Sequence, residues 1–109
     1  MQHSSQHTFR ALSDPTRREI LGLLAQRDMT IAQVAGNFNM TRAAVKKHLA
    51  ILKEGALIDV RAEGRERWNS INPQGFQPVR DWLSMFDIFW DERLATLKTA
   101  IENKETPHD

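Results

Sequence analysis

No cysteine occurs in the 109 residues. That excludes disulfides, thiolate metal sites and a cysteine nucleophile. No apolar run approaches the length of a membrane span, and the opening Met-Gln-His-Ser-Ser-Gln-His lacks the apolar stretch of a signal peptide. The expected compartment is therefore the cytoplasm. Internal repeats, low-complexity tracts and long linkers are also missing. What remains is ordinary for one globular fold, with 40% hydrophobic and 27% charged residues. A single domain over residues 1–109 is expected.

The net charge of +1 conceals a polarity along the chain. From Thr41 to Ser70, seven bases face four acids, a net +3; from Pro78 onward, four bases face seven acids, a net −3. A basic middle and an acidic end suggest that one part meets a polyanion and the other does not.

Asp14-Pro15 is a helix start, with an N-capping carboxylate and a proline suited to the first turn. The helix it opens runs to about Gln26, preceded by frayed polar residues and a short helix containing Phe9 and Leu12. Thr30 begins the next helix, with Gln33 at capping-box spacing and Ile31, Val34, Ala35 and Phe38 at helical intervals. Thr41 opens a fourth helix that Gly55 ends. Two strands follow, Leu57–Ala62 and Glu66–Ile71, joined by a tight turn at Glu63-Gly64-Arg65. Asn72-Pro73 leads into a last helical region, with a break expected near Gln77-Pro78 and one long helix from there to about Asn103. The expected architecture is mainly α with a small β-hairpin, in the order α-α-α-α-β-β-α. Residues 9–72 form its core and 78–103 a long C-terminal helix.

The third and fourth helices fit a helix-turn-helix. Ala35 supplies the small residue at the crossing, and Asn39 stands in the turn where a left-handed backbone is expected. Val45 and Leu49 anchor the second helix. On a wheel, Arg42, Ala43, Lys46, Lys47, Ala50, Lys53 and Glu54 share one arc, while Ala44, Val45, His48, Leu49, Ile51 and Leu52 share the other. The first arc predicts a surface for double-stranded DNA. Arg42 lies at the end where recognition helices touch base edges, the lysines suit phosphates, and the alanines permit close approach. Arg61, Arg65 and Arg67 on the hairpin suit a wing beside that helix. A merely solvated cationic face is the bland alternative. Trp68 is read as hairpin packing.

Along the last region Val79, Leu83, Phe86, Trp90, Leu94, Leu97 and Ile101 form a stripe, widened by Trp82, Met85, Ile88 and Phe89. So much apolar surface exceeds what a small core absorbs and predicts a homodimer seam, joined by Phe9. Its expected residues are Phe9, Trp82, Phe86, Phe89, Trp90, Leu94 and Leu97. His3 and His7 are four apart but lack a third ligand, His48 falls on the core arc, and His108 lies in the tail. No metal site, cofactor or catalytic constellation is expected. Beside a DNA-binding regulator stands a second reading, a winged helix used for protein–protein contacts, whose outward face would ordinarily be apolar or acidic.

Taken together, F-R-A-L-S-D-P-T-R-R-E-I-L (Phe9–Leu21), T-I-A-Q-V-A (Thr30–Ala35), T-R-A-A-V-K-K-H-L-A-I-L-K-E-G-A-L-I (Thr41–Ile58) and E-G-R-E-R-W (Glu63–Trp68) resemble the ArsR/SmtB family of bacterial repressors. The resemblance spans about Phe9 to Ile101. It implies a dimeric winged helix that represses transcription and is released by a signal, often a metal ion; the symmetry of such a dimer suits an inverted-repeat operator. By position, Thr41, Arg42, Ala43, Lys46 and Lys47 match the family's DNA-reading positions, and Gly64-Arg65 the wing tip. The family's metal sensors carry cysteines on the third helix or His/Asp clusters on the last one. Here Thr30–Gly36 has no cysteine and the last helix no histidine. The chain therefore looks like the non-metal branch, in which W-D-E-R-L (Trp90–Leu94) is a common feature. Whether an inducer exists, and whether it is a small molecule or a protein, is left open, as is activation in place of repression.

Overall fold

The computed structural model describes residues 2–105, with side chains described for 5–103. It divides into two compact units, with the boundary between Val79 and Arg80.

The first unit opens with α1 (Gln2–Leu12) and α2 (Pro15–Gln26). The expected frayed start is instead helical from Gln2. Asp14 caps α2 as its sequence requires, its carboxylate accepting the Arg17 N–H at 3.0 Å. The junction is fixed by two arginines that sequence reading did not single out. Arg17 Nε donates to the Ala11 carbonyl at 2.8 Å and its Nη2 to that of Arg10 at 3.1 Å. Arg18 Nη1 donates to the Leu12 carbonyl at 2.7 Å. The last turn of α1, whose carbonyls have no partner within the helix, is thus satisfied by cations at the favoured end of its dipole. These bonds also offset the cost of burying the Arg17 guanidinium.

A two-residue strand, β1 (Met29–Thr30), precedes α3 (Ile31–Ala35). The capping box at its start is complete: Gln33 N–H donates to Thr30 Oγ1 and Thr30 N–H to Gln33 Oε1, at 3.2 and 3.0 Å. The turn into α4 (Arg42–Glu54) corrects one expectation. Asn39 does not take positive φ; among non-glycine described residues, that conformation is found at Ala56. The chain leaves α3 through tightened bonds, Asn37 N–H to the Val34 carbonyl and Phe38 N–H to the Ala35 carbonyl, at 3.0 and 3.1 Å. Phe38 and Met40 then pack against the core, which fixes the turn without a left-handed residue.

The end of α4 is a Schellman motif. Leu57 N–H bonds the Leu52 carbonyl and Ala56 N–H the Lys53 carbonyl, at 3.0 and 2.9 Å, with Leu52 and Leu57 both fully buried. Ala56 carries the left-handed φ of 61°. Gly55 is required for a different reason: a Cβ there would stand 2.9 Å from the His7 carbonyl oxygen of α1. Thr8 Oγ1 donates to the Gly55 carbonyl at 2.8 Å, so α1 and the end of α4 are held together.

The hairpin β2 (Ile58–Glu63) and β3 (Glu66–Ile71) turns through Gly64-Arg65. Gly64 has φ 61° and Arg65 does not, the pattern of a type II′ turn. Strand β1, which sequence reading did not anticipate, pairs with β3 to give an antiparallel sheet in the order β1-β3-β2. Ile20, Leu24, Val34, Val45, Leu49, Leu52, Leu57 and Ile58 form the core against which α2, α3, α4 and the sheet pack.

A 3-10 turn, Pro73–Phe76, passes directly into α5 (Gln77–Ser84), so the expected break at Gln77-Pro78 is only a change of helix type. The real break comes later and replaces the single long helix with two, α5 and α6 (Asp87–Glu105). Ser84 Oγ donates to the Asp81 carbonyl at 2.7 Å, the acceptor that Met85 N–H would use in a continuous helix. Met85 and Phe86 N–H instead bond the carbonyls of Trp82 and Leu83. The apolar stripe is consequently not one unbroken helical line. Within the second unit, Trp82 and Phe86 meet edge-on at 5.4 Å, as do Phe89 and Trp90 at 5.1 Å. Its described residues are exposed throughout, Trp82 at 51% and Trp90 at 46%. Among the described residues no helix is long and apolar enough to cross a membrane.

Candidate nucleic-acid interface

The two arcs drawn for α4 are separated by the fold. Val45, Leu49 and Leu52 are buried, and Ala44, His48 and Ile51 half-buried. Arg42, Ala43, Lys46, Lys47, Ala50, Lys53 and Glu54 are all exposed. Thr41 ends up at the N-cap, its Oγ1 accepting the Ala44 N–H at 3.1 Å. Its hydroxyl proton stays available to an acceptor while the helix start is held.

An open groove of about 1010 Å³ lies between this arc and the hairpin. Arg42, Ala43, Lys46, Ala50 and Lys53 form one wall, and Arg65, Glu66 and Arg67 belong to the other. Five cations face Glu66 alone, so the groove attracts a polyanion. The two alanines keep the helical wall low. Lys53 was recognised on the cationic arc but not counted as a site residue; its place in the groove depends on where the hairpin folds back. Thr30, Ile31 and Ala32 also border the groove. Sequence spacing could not show this, because β1 brings the start of α3 beside β3.

Lys47 is exposed on the same helix but does not line the groove. Arg61 does not line it either. Its Nη1 donates to Asp28 Oδ2 at 2.8 Å and its Nε to Glu63 Oε1 at 3.0 Å, and its guanidinium lies 5.8 Å from the Trp68 ring centroid. Glu63 and Asp28 together raise the guanidinium's already high pKa, so it remains a cation paired to two carboxylates. Trp68 is half-buried in the hairpin, as its packing role predicts.

On the core side of α4, His48 meets Arg17 and Asp14, with its Nδ1 at 3.5 Å from Arg17 Nη1 and 3.9 Å from Asp14 Oδ2. The Arg17 N–H, then the Arg17 and His48 charges, hold the Asp14 carboxyl below its ordinary pKa against an opposing desolvation. His7 Nδ1 lies 3.1 Å from Glu54 Oε1. Among the described residues no three His, Asp or Glu side chains gather as a metal ion requires. The side chain of His3, and His108, lie outside the described residues. Among the described residues the donors do not fit a metal-sensing site.

Comparison with known proteins places the fold among transcriptional regulators. A family model described as bacterial regulatory protein, arsR family, matches residues 14–60, from the cap of α2 into β2. The transcriptional repressor SdpR of Bacillus subtilis is 38% identical over 80 residues, covering 73% of this chain and 89% of that one. The HTH-type transcriptional regulator Rv2034 of Mycobacterium tuberculosis is 31% identical over 101 residues, covering 93% and 92%. The crystal structure of an ArsR family transcriptional regulator, RHA00566, superposes with a TM-score of 0.74 at 31% identity, over 84% of this chain and 94% of that one.

Proposed function

The chain belongs to the ArsR/SmtB family of winged-helix, DNA-binding transcriptional regulators, and from that premise we propose that it is a homodimeric repressor of an inverted-repeat operator. The observation that carries this reading is the groove, in which the outward arc of α4 faces the wing cations across a space open to a duplex. Arg42, near the start of α4, reads a base edge, while Lys46, Lys47 and Lys53 meet phosphates. Thr41 offers its hydroxyl to the backbone, and Ala43 and Ala50 let the helix settle into the major groove. Arg65 at the wing tip and Arg67 beside it hold the flanking backbone or minor groove.

The dimer is supported by the second unit, which exposes Trp82, Phe86, Phe89, Trp90, Leu94 and Leu97. Apolar surface of this extent is characteristic of an interface. Phe9 of the first unit is a further exposed aromatic and is assigned to the same assembly. A two-fold dimer presents its reading helices roughly 34 Å apart, one turn of DNA. The reading places the protein in the cytoplasm, on the nucleoid, and assigns it no catalysis.

The test is recovery of bound fragments of source-genome DNA at moderate salt. Enrichment of one inverted repeat is expected; no enrichment above non-specific background would overturn the reading. Affinity for the recovered site should fall with salt by about 0.9 per neutralised phosphate on a log–log plot. A protein-docking winged helix would yield no enriched site, and its binding would be equal on all sequences.

A further inference from the structure

Arg61 stands apart from the other hairpin cations. It lies on β2, the edge strand farthest from β1, and faces Trp68 of β3 in register. Trp68 in turn pairs with Thr30 of β1, and Asp28 immediately precedes that strand. The Arg61 guanidinium therefore reaches across the sheet, passing near the Trp68 ring and ending on the Asp28 carboxylate. We propose that Arg61 is a positioning residue that pins the wing to Asp28, and not itself a DNA contact. This rests on the DNA-binding reading above.

The charges favour that role. Arg61 with Asp28 and Glu63 makes a cluster of net −1, so a phosphate would have to displace two carboxylates that already take its Nε and Nη1. The mechanics favour it too. Strand β1 contributes two residues, so few backbone bonds tie the hairpin to the rest of the sheet. Gly64, at the tip, is three residues beyond Arg61, roughly 10 Å along the strand, so a pivot of about 6° displaces the tip by about 1 Å. A displacement of that size is enough to misplace Arg65 against a phosphate. The pair is half exposed, with side chains 47% and 44% accessible, so its net worth to folding is small and variants lacking it should fold.

The test compares Asp28→Asn, Arg61→Gln and the double variant by two readouts. In the free protein, amide order parameters at Gly64 and Arg65 are expected to fall in both single variants. On the recovered operator each single variant should bind roughly two- to five-fold more weakly. The double variant should be no weaker than the worse single, and the salt slope of Arg61→Gln should match that of the parent. The proposal is overturned if Arg61→Gln lowers the slope by about 0.9 while Asp28→Asn binds as well as the parent or better, the signature of a phosphate contact. Unchanged amides at the wing tip would overturn it without any DNA. If the parent itself binds no operator, the regulator reading fails, while the amide measurement still decides the role of Arg61.

Discussion

The two units solve the problem of apolar surface in opposite ways. In the first, Ile20, Val34, Val45, Leu52 and Leu57 are fully buried, and helix ends are closed by Asp14, Thr30, Thr41 and the Gly55-Ala56 turn. In the second, no described residue is buried, although it carries Trp82, Phe86, Ile88, Phe89, Trp90, Leu94 and Leu97. A sequence under selection for folding alone would not keep large aromatics in water. The contrast teaches that the first unit holds a core of its own, whereas the second leaves its apolar residues uncovered, the surface that the proposed dimer would bury.

Truncating a residue in each unit sharpens that contrast. Leu52→Ala should cost about 2–5 kcal/mol of stability, independent of protein concentration, as read by denaturant unfolding. Trp90→Ala should leave the first unit's unfolding unchanged and weaken the dimer by about 2 kcal/mol, a roughly thirty-fold rise in dimer Kd by sedimentation. Equal, concentration-independent losses from both would erase the distinction.

Within the first unit, the two walls of the groove should also behave differently. Arg42→Ala should cost about 1–3 kcal/mol and relax preference at one operator position, measured on a panel of single-base operator variants. Arg65→Ala should weaken all sequences alike and reduce the salt slope by about 0.9. An Arg42→Ala protein with intact affinity and preference would move the reading face elsewhere.

The smallest effect concerns Asp14. Its folded-state pKa is depressed, first by the Arg17 N–H and then by neighbouring positive charge. Its contribution is therefore present above the unfolded pKa and lost as pH falls through the lower folded value, below about pH 4. Asp14→Asn keeps a capping oxygen but has no charge to lose. Its stability should decline less steeply than the parent's on acidification in that range; parallel curves would assign the acid sensitivity to other carboxylates.

The features legible in the sequence were those whose physics is local. The Asp14 cap, the Thr30–Gln33 box and the two arcs of α4 depend on residues within a few positions, and the structure reproduces each. Strand β1 escaped notice because two residues carry no period. The break after α5, where the N–H groups of Met85 and Phe86 bond the carbonyls of Trp82 and Leu83, carries no signal that a wheel registers. Asn39 shows the limit of residue preference: its side chain permits a left-handed turn, but packing of Phe38 and Met40 makes one unnecessary. The pairing of Arg61 with Asp28 is not legible in the sequence, because the two are 33 positions apart.

The most direct test of the central claim, that two cationic grooves are brought to one operator by the apolar second unit, is the stoichiometry on DNA by sedimentation velocity. Parent protein would be titrated onto a duplex carrying the recovered inverted repeat and onto one carrying a single half-site. Two protomers per repeat, with the half-site bound far more weakly, is the predicted result. One protomer bound with equal affinity to both duplexes would contradict it.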